Sequence, residues 1–291
     1  MYLCTLELTI SLALNQQKSR SCTDSPIITL TTDWGPSDFF VGMAKGRLYS
    51  DIPNVRVVDI THGLEPFQLS RAIFVTRYAC MGFPEGTIHI IDATASNDKR
   101  PYIVVRHKGQ YFICVDNGLP CAIFGEDASH AVAIDVSRFE KRSSQTFAAY
   151  DIFCPVAAML ASGAELSDIG TPLDGFLPYM PICPIFRNEV LKIYVSYIDN
   201  YGNAILNITY KEFKDIQAGR EFEMNVHGYL ITKVVDSYSD ANTSWSGRTS
   251  LLLTVSTTGY LQIALRQYSA EQYFGLREQD ALTVHFKTPS K

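Results

Sequence analysis

Long apolar runs, a surplus of basic residues and paired cysteines are all missing from this chain. Its 291 residues carry 25 Lys and Arg against 30 Asp and Glu, a net charge of −5. With no basic excess and no Lys/Arg cluster, nothing is available to neutralise a phosphate backbone, so no nucleic-acid partner is expected. No stretch stays apolar for the ~20 residues that a bilayer crossing requires, so no membrane partner is expected either. The seven cysteines form no C-x-x-C pair and no Cys/His spacing suited to zinc. Their odd number and mostly apolar surroundings read as reduced, buried thiols, with no metal site. Leu3 to Leu14 is fairly apolar, but Glu7 interrupts it and no basic residue precedes it, which is a poor secretory signal. Residues 1–25 are therefore read as an extension outside the core, and the chain as cytoplasmic.

What the chain does have is material for a large core: 46% of its residues are hydrophobic, enough for two domains. The stretch from Ile27 to Gly35 organises the first. It is a β-branched, apolar run suited to a strand covered on both faces, and it stops at Asp33. The run Gly86 to Ile91 repeats the design and stops at Asp92. Open α/β sheets bind ligands just beyond the carboxyl ends of their strands, so Asp33 and Asp92 are expected to face one small-molecule site. The alternative is that each aspartate only starts a turn or caps a helix.

Between these strands the pattern turns helical from Ser37 to Tyr49, with Ser37 as the expected N-cap. A strand at 54–60 and a helix opened by Pro66 and running to Ala79 follow. Strand, helix, strand, helix, strand in this order implies parallel pairing with right-handed crossovers. Tyr102 to Arg106 and Tyr111 to Val115 form a hairpin about Lys108-Gly109. A strand from Ala131 to Val136 and a helix from Tyr150 to Ala161 complete the first domain. Four prolines between Pro172 and Pro184 rule out a continuous helix or central strand. Beyond Glu189, short strands separated by turns suggest a small barrel or sandwich. The expected organisation is an N-terminal α/β domain over 26–175, a mostly parallel sheet with helices on both faces; a Pro-rich linker over 176–188; and an all-β, barrel-like domain over 189–291.

Several blocks then converge. Thr32-Asp33-Trp34-Gly35-Pro36-Ser37-Asp38-Phe39-Phe40-Val41-Gly42 with Lys45-Gly46 resembles the first motif of the S-adenosyl-L-methionine hydroxide adenosyltransferases, relatives of the fluorinase and chlorinase enzymes. Asp59-Ile60-Thr61-His62 with Pro66, Phe83-Pro84-Glu85-Gly86-Thr87 and Asp116-Asn117-Gly118-Leu119 match later blocks. So do Thr146-Phe147 followed by Asp151-Ile152-Phe153 and Pro155. In the second domain, Ile198-Asp199-Asn200-Tyr201-Gly202-Asn203 and Gly259-Tyr260-Leu261-Gln262-Ile263-Ala264 complete the series. The resemblance runs from about Pro26 to the C-terminus, in order and with similar spacing, and it implies an α/β domain joined to a β-barrel.

The resemblance also implies an activity, in which water, or halide in the relatives, displaces methionine from S-adenosylmethionine at the ribose C5′. No metal or separate cofactor is implied, and sites between subunits of a homotrimer are. Asp33 would hold the ribose hydroxyls, with Asp38 supporting that end of the site. Phe67 falls at an aromatic or polar position near the sugar, or is ordinary core. Tyr201 and Asn203 would meet the adenine, and Asp199 the methionine amino group. Thr257, Thr258, Gln262 and Leu265 would add barrel contacts.

The hydrolases' water-activating Asp, Arg and His are only partly matched. The Asp is Asp92, which belongs to both the catalytic and the binding set. The Arg position is Lys99, followed by Arg100, and the His position is Ala148. Ala149 stands where halogenating relatives carry serine. Pro-Gly-Val-Gly after the aspartate is here Ala93-Thr94-Ala95-Ser96. Alanine supplies no base, and lysine keeps arginine's charge without its fork. The expectation is an adenosine-forming hydrolase of reduced or altered activity, with Asp92 and Lys99 as its polar groups. The alternatives are a protein that binds S-adenosylmethionine or adenosine without turnover, or transfer to another nucleophile such as halide.

Overall fold

The computed structural model describes residues 25–93, 100–139, 146–240 and 251–287. The segment ahead of Ser25 lies outside the described residues, as does Lys99. The chain divides into two compact units: 1–67, 82–120 and 124–177 form one, and 68–81, 121–123 and 178–291 the other.

In chain order the first unit begins with β1 (Ile27–Thr32), α1 (Phe39–Asp51) and β2 (Arg56–Thr61). Helix α2 (Leu69–Ala79), which follows, belongs to the second unit. Then come β3 (Ile88–Asp92), β4 (Tyr102–His107), β5 (Gln110–Val115), α3 (Leu119–Phe124) and β6 (Ala131–Ile134). A π-helix (Ala149–Phe153), α4 (Cys154–Ala161), α5 (Leu166–Ile169) and β7 (Gly170–Pro172) close it. The seven strands form one sheet in the order β2-β1-β3-β5-β4-β6-β7. The four from β2 to β5 run parallel, and β4, β6 and β7 add antiparallel. β1 is central to the parallel part, and every residue from Ile28 to Thr32 is buried, which is why it reads as unbroken apolar and β-branched. Ile28, Leu30, Ile88 and Ile90 pack with Ala44 and Leu48 of α1 and with Val156, Ala157 and Leu160 of α4.

Two local expectations are corrected. Helix α1 is capped by Asp38 and not by Ser37: residue 38 is still extended, and its carboxylate accepts from the Phe39 N–H at 2.6 Å. The helix expected from Tyr150 to Ala161 starts wide, as a π-turn in which the Cys154 N–H reaches the Ala149 carbonyl. Pro155 supplies the reason, because it has no N–H for the α-helical bond to Asp151 and its ring crowds that carbonyl. Among the described cysteines Cys80, Cys114 and Cys154 are buried free thiols as expected, whereas Cys183 is exposed.

The second unit carries β8 (Ile185–Arg187), β9 (Val190–Ile198), β10 (Ala204–Thr209), α6 (Tyr210–Gln217), β11 (Phe222–Val226), β12 (Tyr229–Ile231) and β13 (Val234–Val235). After these come β14 (Leu251–Val255), β15 (Tyr260–Leu265), α7 (Ala270–Phe274) and β16 (Ala281–Phe286). Its nine strands among the described residues make a curled, mostly antiparallel half-barrel along the path β12-β11-β16-β9-β10-β15-β14-β13, with β8 paired to β9. Its core includes Leu191, Ile193, Leu206, Phe213, Phe222 and Phe286. The short helices α6 and α7 lie among these strands. α6 is nucleated by a reciprocal cap between Thr209 and Glu212 and buries only Phe213. α2 packs here too: Phe74 stacks on Tyr197 with centroids 4.5 Å apart, and Arg71 pairs with Glu278 at 2.9 Å. No helix among the described residues is long and apolar enough to cross a membrane.

Candidate functional site

In the first unit, parallel pairing sets Thr32 opposite Asp92, and the Asp33 N–H then reaches the Asp92 carbonyl at 3.3 Å. Asp33 and Asp92 therefore lie side by side at the carboxyl edge of adjacent strands. Asp33 is half-buried, while Asp92 is only 6% exposed. Burial pushes the Asp92 carboxyl up to about 6; the Trp34 hydrogen bond opposes that shift and the Asp33 charge adds to it. A carboxyl poised there can hold or release a proton near neutral pH.

The indole of Trp34 donates to Asp92 Oδ2 at 2.9 Å. The indole face stacks on His62 (centroids 6.1 Å, interplanar angle 16°), and Phe147 meets Trp34 edge-on at 5.0 Å. His62 is itself held through Nδ1 and has a carboxylate beside Nε2. Nδ1 is hydrogen-bonded to the Thr32 hydroxyl at 2.8 Å, and Nε2 lies 3.1 Å from Asp59 Oδ1. Lys45 Nζ donates to the other Asp59 oxygen at 2.6 Å. Partial burial raises the Asp59 carboxyl, but the contacts with Lys45 and His62 outweigh it and hold it below its usual value. Backbone bonds from Gly35 N–H to the His62 carbonyl (2.8 Å) and from Leu64 N–H to the Thr32 carbonyl (3.3 Å) tie the two strand ends together. On the far side, the Asn117 amide donates to the Ala93 carbonyl at 3.2 Å and anchors the chain just after Asp92. The family-like blocks at 32–35, 59–62, 116–119 and 146–147 thus meet at one sheet edge.

Asp38, at the start of α1, is exposed and spends one oxygen on its cap. Phe67 is 76% exposed with φ +67°, so it is not core. A large side chain in the left-handed region is uncommon, and here it is left in solvent. Ala148 opens the π-helix and offers the site no polar atom.

In the second unit a surface cavity of about 640 Å³ is lined by Tyr201, Asn203, Tyr238, Leu265, Tyr268 and Ser269, among others. Asp199 builds its rim. Oδ1 accepts from the Tyr201 and Asn203 N–H groups, and Oδ2 from the Asn203 amide, each at 2.9 Å. Residue 202 must be glycine: φ is +76°, and a Cβ there would lie 2.0 Å from Ser269 Oγ. The turn leaves Tyr201 80% exposed, an aromatic face with no protein covering. Gln262 is buried and donates to the Tyr238 hydroxyl at 2.6 Å. Burial and the Asp199 charge raise the Tyr238 phenol above its usual value, so it stays a neutral donor. Thr257 and Thr258 are not brought to this cavity. They form the turn before β15, with Thr258 bonded to Ser256 at 2.6 Å, whereas Leu265 ends that strand.

Trp34 and His62 were present in the quoted motifs without a role; a tryptophan between a strand-end aspartate and a glycine is the signal that marks them. Tyr238 lies in a segment without pattern, and nothing local announces it.

Residues 28–170 match the model of the SAM hydroxide adenosyltransferase N-terminal domain, and residues 193–283 that of its C-terminal domain. A protein of Methanocaldococcus jannaschii named (R)-S-adenosyl-L-methionine hydrolase is 24% identical over 89% of this chain and 95% of its own. One of the same name from Salinispora arenicola is 31% identical over 64% of this chain and 73% of its own. The crystal structure of an uncharacterized conserved protein from Thermotoga maritima superposes with a TM-score of 0.76 at 28% identity, covering 89% of this chain and 99% of that one.

Proposed function

Because the chain belongs to the SAM hydroxide adenosyltransferase family, we propose that it hydrolyses S-adenosyl-L-methionine to adenosine and methionine. The observation that carries this reading is the pair Asp33 and Asp92 at one sheet edge, one half-exposed and the other buried with its carboxyl near pH 6. Asp33 accepts from the two ribose hydroxyls. Asp92 takes a proton from water as the water oxygen bonds to C5′; the C5′–S bond breaks, and its electron pair leaves on the sulfur of methionine, now a neutral thioether. The sulfonium is already an activated leaving group, so the protein's task is positioning and desolvation. S-adenosyl-L-methionine is then the substrate, with no separate cofactor.

In this reading Asp38 and Phe67 flank the sugar. Tyr201, Asn203 and Asp199 receive the adenine and methionine ends, with Gln262 and Leu265 behind them and Thr257 and Thr258 further out. Lys99 supplies the positive charge that arginine would bring. The protein is cytoplasmic, works as a homotrimer with sites between subunits, and divides as an α/β domain over 26–175, a linker over 176–188 and a β domain over 189–291. Capture without turnover is the second reading, favoured by Ala148, which leaves Asp92 without an imidazole partner at that turn.

The test incubates the protein with S-adenosyl-L-methionine, with and without chloride, and follows products by chromatography and mass spectrometry. Adenosine with methionine is expected. Intact substrate retained on the protein would favour capture, and a chlorinated nucleoside would favour halide transfer. Asp33→Ala should weaken binding roughly tenfold or more by calorimetry while leaving the circular dichroism unchanged. Unchanged affinity removes Asp33 from the site.

A further inference from the structure

We propose that Trp34 is a positioning residue for Asp92, its indole N–H fixing Oδ2 so that Oδ1 faces the reacting water. The inference rests on the hydrolytic reading above and concerns what aims its base. Three observations carry it. Among the described residues, the bond from Trp34 is the one hydrogen bond made to the Asp92 carboxylate. The indole that makes it is itself immobilised, with its face on His62 and the Phe147 ring against its edge. His62 in turn is hydrogen-bonded to Thr32 with Asp59 beside its other nitrogen, and the Gly35 N–H to His62 carbonyl bond fixes the turn that carries Trp34.

The donor type matters. A cation beside a buried carboxylate pulls its proton affinity far down, whereas a neutral N–H orients the group with a smaller effect. An indole also cannot accept or release the proton in transit, because it is a donor only. The arrangement therefore orients the carboxylate through a neutral donor, in a site where the Ala148 side chain supplies neither charge nor base.

The groups able to disturb a titration seen at Trp34 are Asp33, His62 and, through His62, Asp59 and Lys45. The Cys154 thiol also senses Asp92, but burial pushes it up to about 12 and keeps it neutral. The test has two readouts. The first is the indole ¹H–¹⁵N resonance of Trp34, identified by comparison with W245F since the chain has two tryptophans. It should shift with a midpoint near 6, keep that shift in H62Q and lose it in D92N. The second is the pH–rate profile of W34F, which keeps a ring against His62 and Phe147 but removes the N–H. Its kcat should fall roughly tenfold or more with KM within about twofold, and its acidic limb should move to higher pH, because the ionised carboxylate loses its donor. An indole resonance that is flat from pH 4 to 8, or a W34F enzyme with the wild-type kcat and profile, overturns the role of Trp34 in an active enzyme. Absence of turnover in the wild-type protein instead removes the hydrolytic reading, and with it any base to be aimed.

Discussion

Two buried groups on β3, Asp92 and His89, pull the pH dependence of stability in opposite directions. Burial raises the Asp92 carboxyl from 3.8 to about 6, so the folded chain binds this proton more readily than the unfolded one. Its contribution to stability is greatest below about 4 and falls as pH rises to 6. His89 is fully buried, hydrogen-bonded to Thr29 at 2.7 Å and stacked on Phe112, and burial lowers it from 6.5 to about 4. Its contribution is greatest above 6.5 and falls as pH drops toward 4. Across the window between, the slopes oppose. Asp92→Asn keeps an oxygen for the Trp34 N–H and removes the buried charge. It should stabilise the fold at pH 7.5 by roughly 2–3 kcal/mol, with no gain at pH 4, while abolishing hydrolysis. Denaturant melts at a series of pH values check this; a variant no more stable than wild type at pH 7.5 would show that burial does not strain the carboxylate.

At the scale of elements, helix ends carry a smaller strain. α6 starts well, with the Thr209 and Glu212 side chains each accepting from the other's backbone N–H. It ends on Ala218, which sits in the left-handed region at φ 48° with its N–H on the Lys214 carbonyl. α7 ends in the same geometry on Gly275, at φ 65°. A Cβ in that conformation costs about 1 kcal/mol, which glycine avoids at some expense in unfolded-chain entropy. A218G should therefore gain about 0.5 kcal/mol net, or a rise of about 1–2 °C in melting temperature. A fall in calorimetric Tm would mean that the methyl group packs usefully at this turn. The π-turn before α4 is a second irregular end: Pro155 opens the helix one residue wide at the position carrying the buried Asp151.

For the whole molecule, the proposed site residues divide between the two units. Asp33, Asp92 and Phe67 lie in one, and Asp199, Tyr201, Asn203 and Gln262 in the other. If each site takes the first from one subunit and the second from a neighbour in a closed ring, two dead variants should rescue each other. D33A and N203A, each inactive alone, would on co-expression at equal levels leave about a quarter of the sites intact. Assay of the purified mixture decides: recovered activity near that fraction supports sites between subunits, and none indicates sites built from single chains.

The amino-acid sequence alone determined the buried strands that end at Asp33 and Asp92, the hairpin about Lys108-Gly109, whose two residues do take φ 48° and 75°, and the family blocks with their order. All of these are local, written in residue period, turn chemistry and motif spacing. The tertiary structure alone decided that Trp34 is the donor to Asp92, that His62 bridges Thr32 and Asp59, that Tyr238 backs Gln262, and that α2 packs in the second unit. The first two follow from the sheet order β2-β1-β3, which seats β1 between two later strands; the other two follow from long-range packing within the second unit, which no sequence window contains. Phe67 is likewise legible only in the structure: it takes a left-handed φ of 67° that its residue type disfavours, and it is exposed.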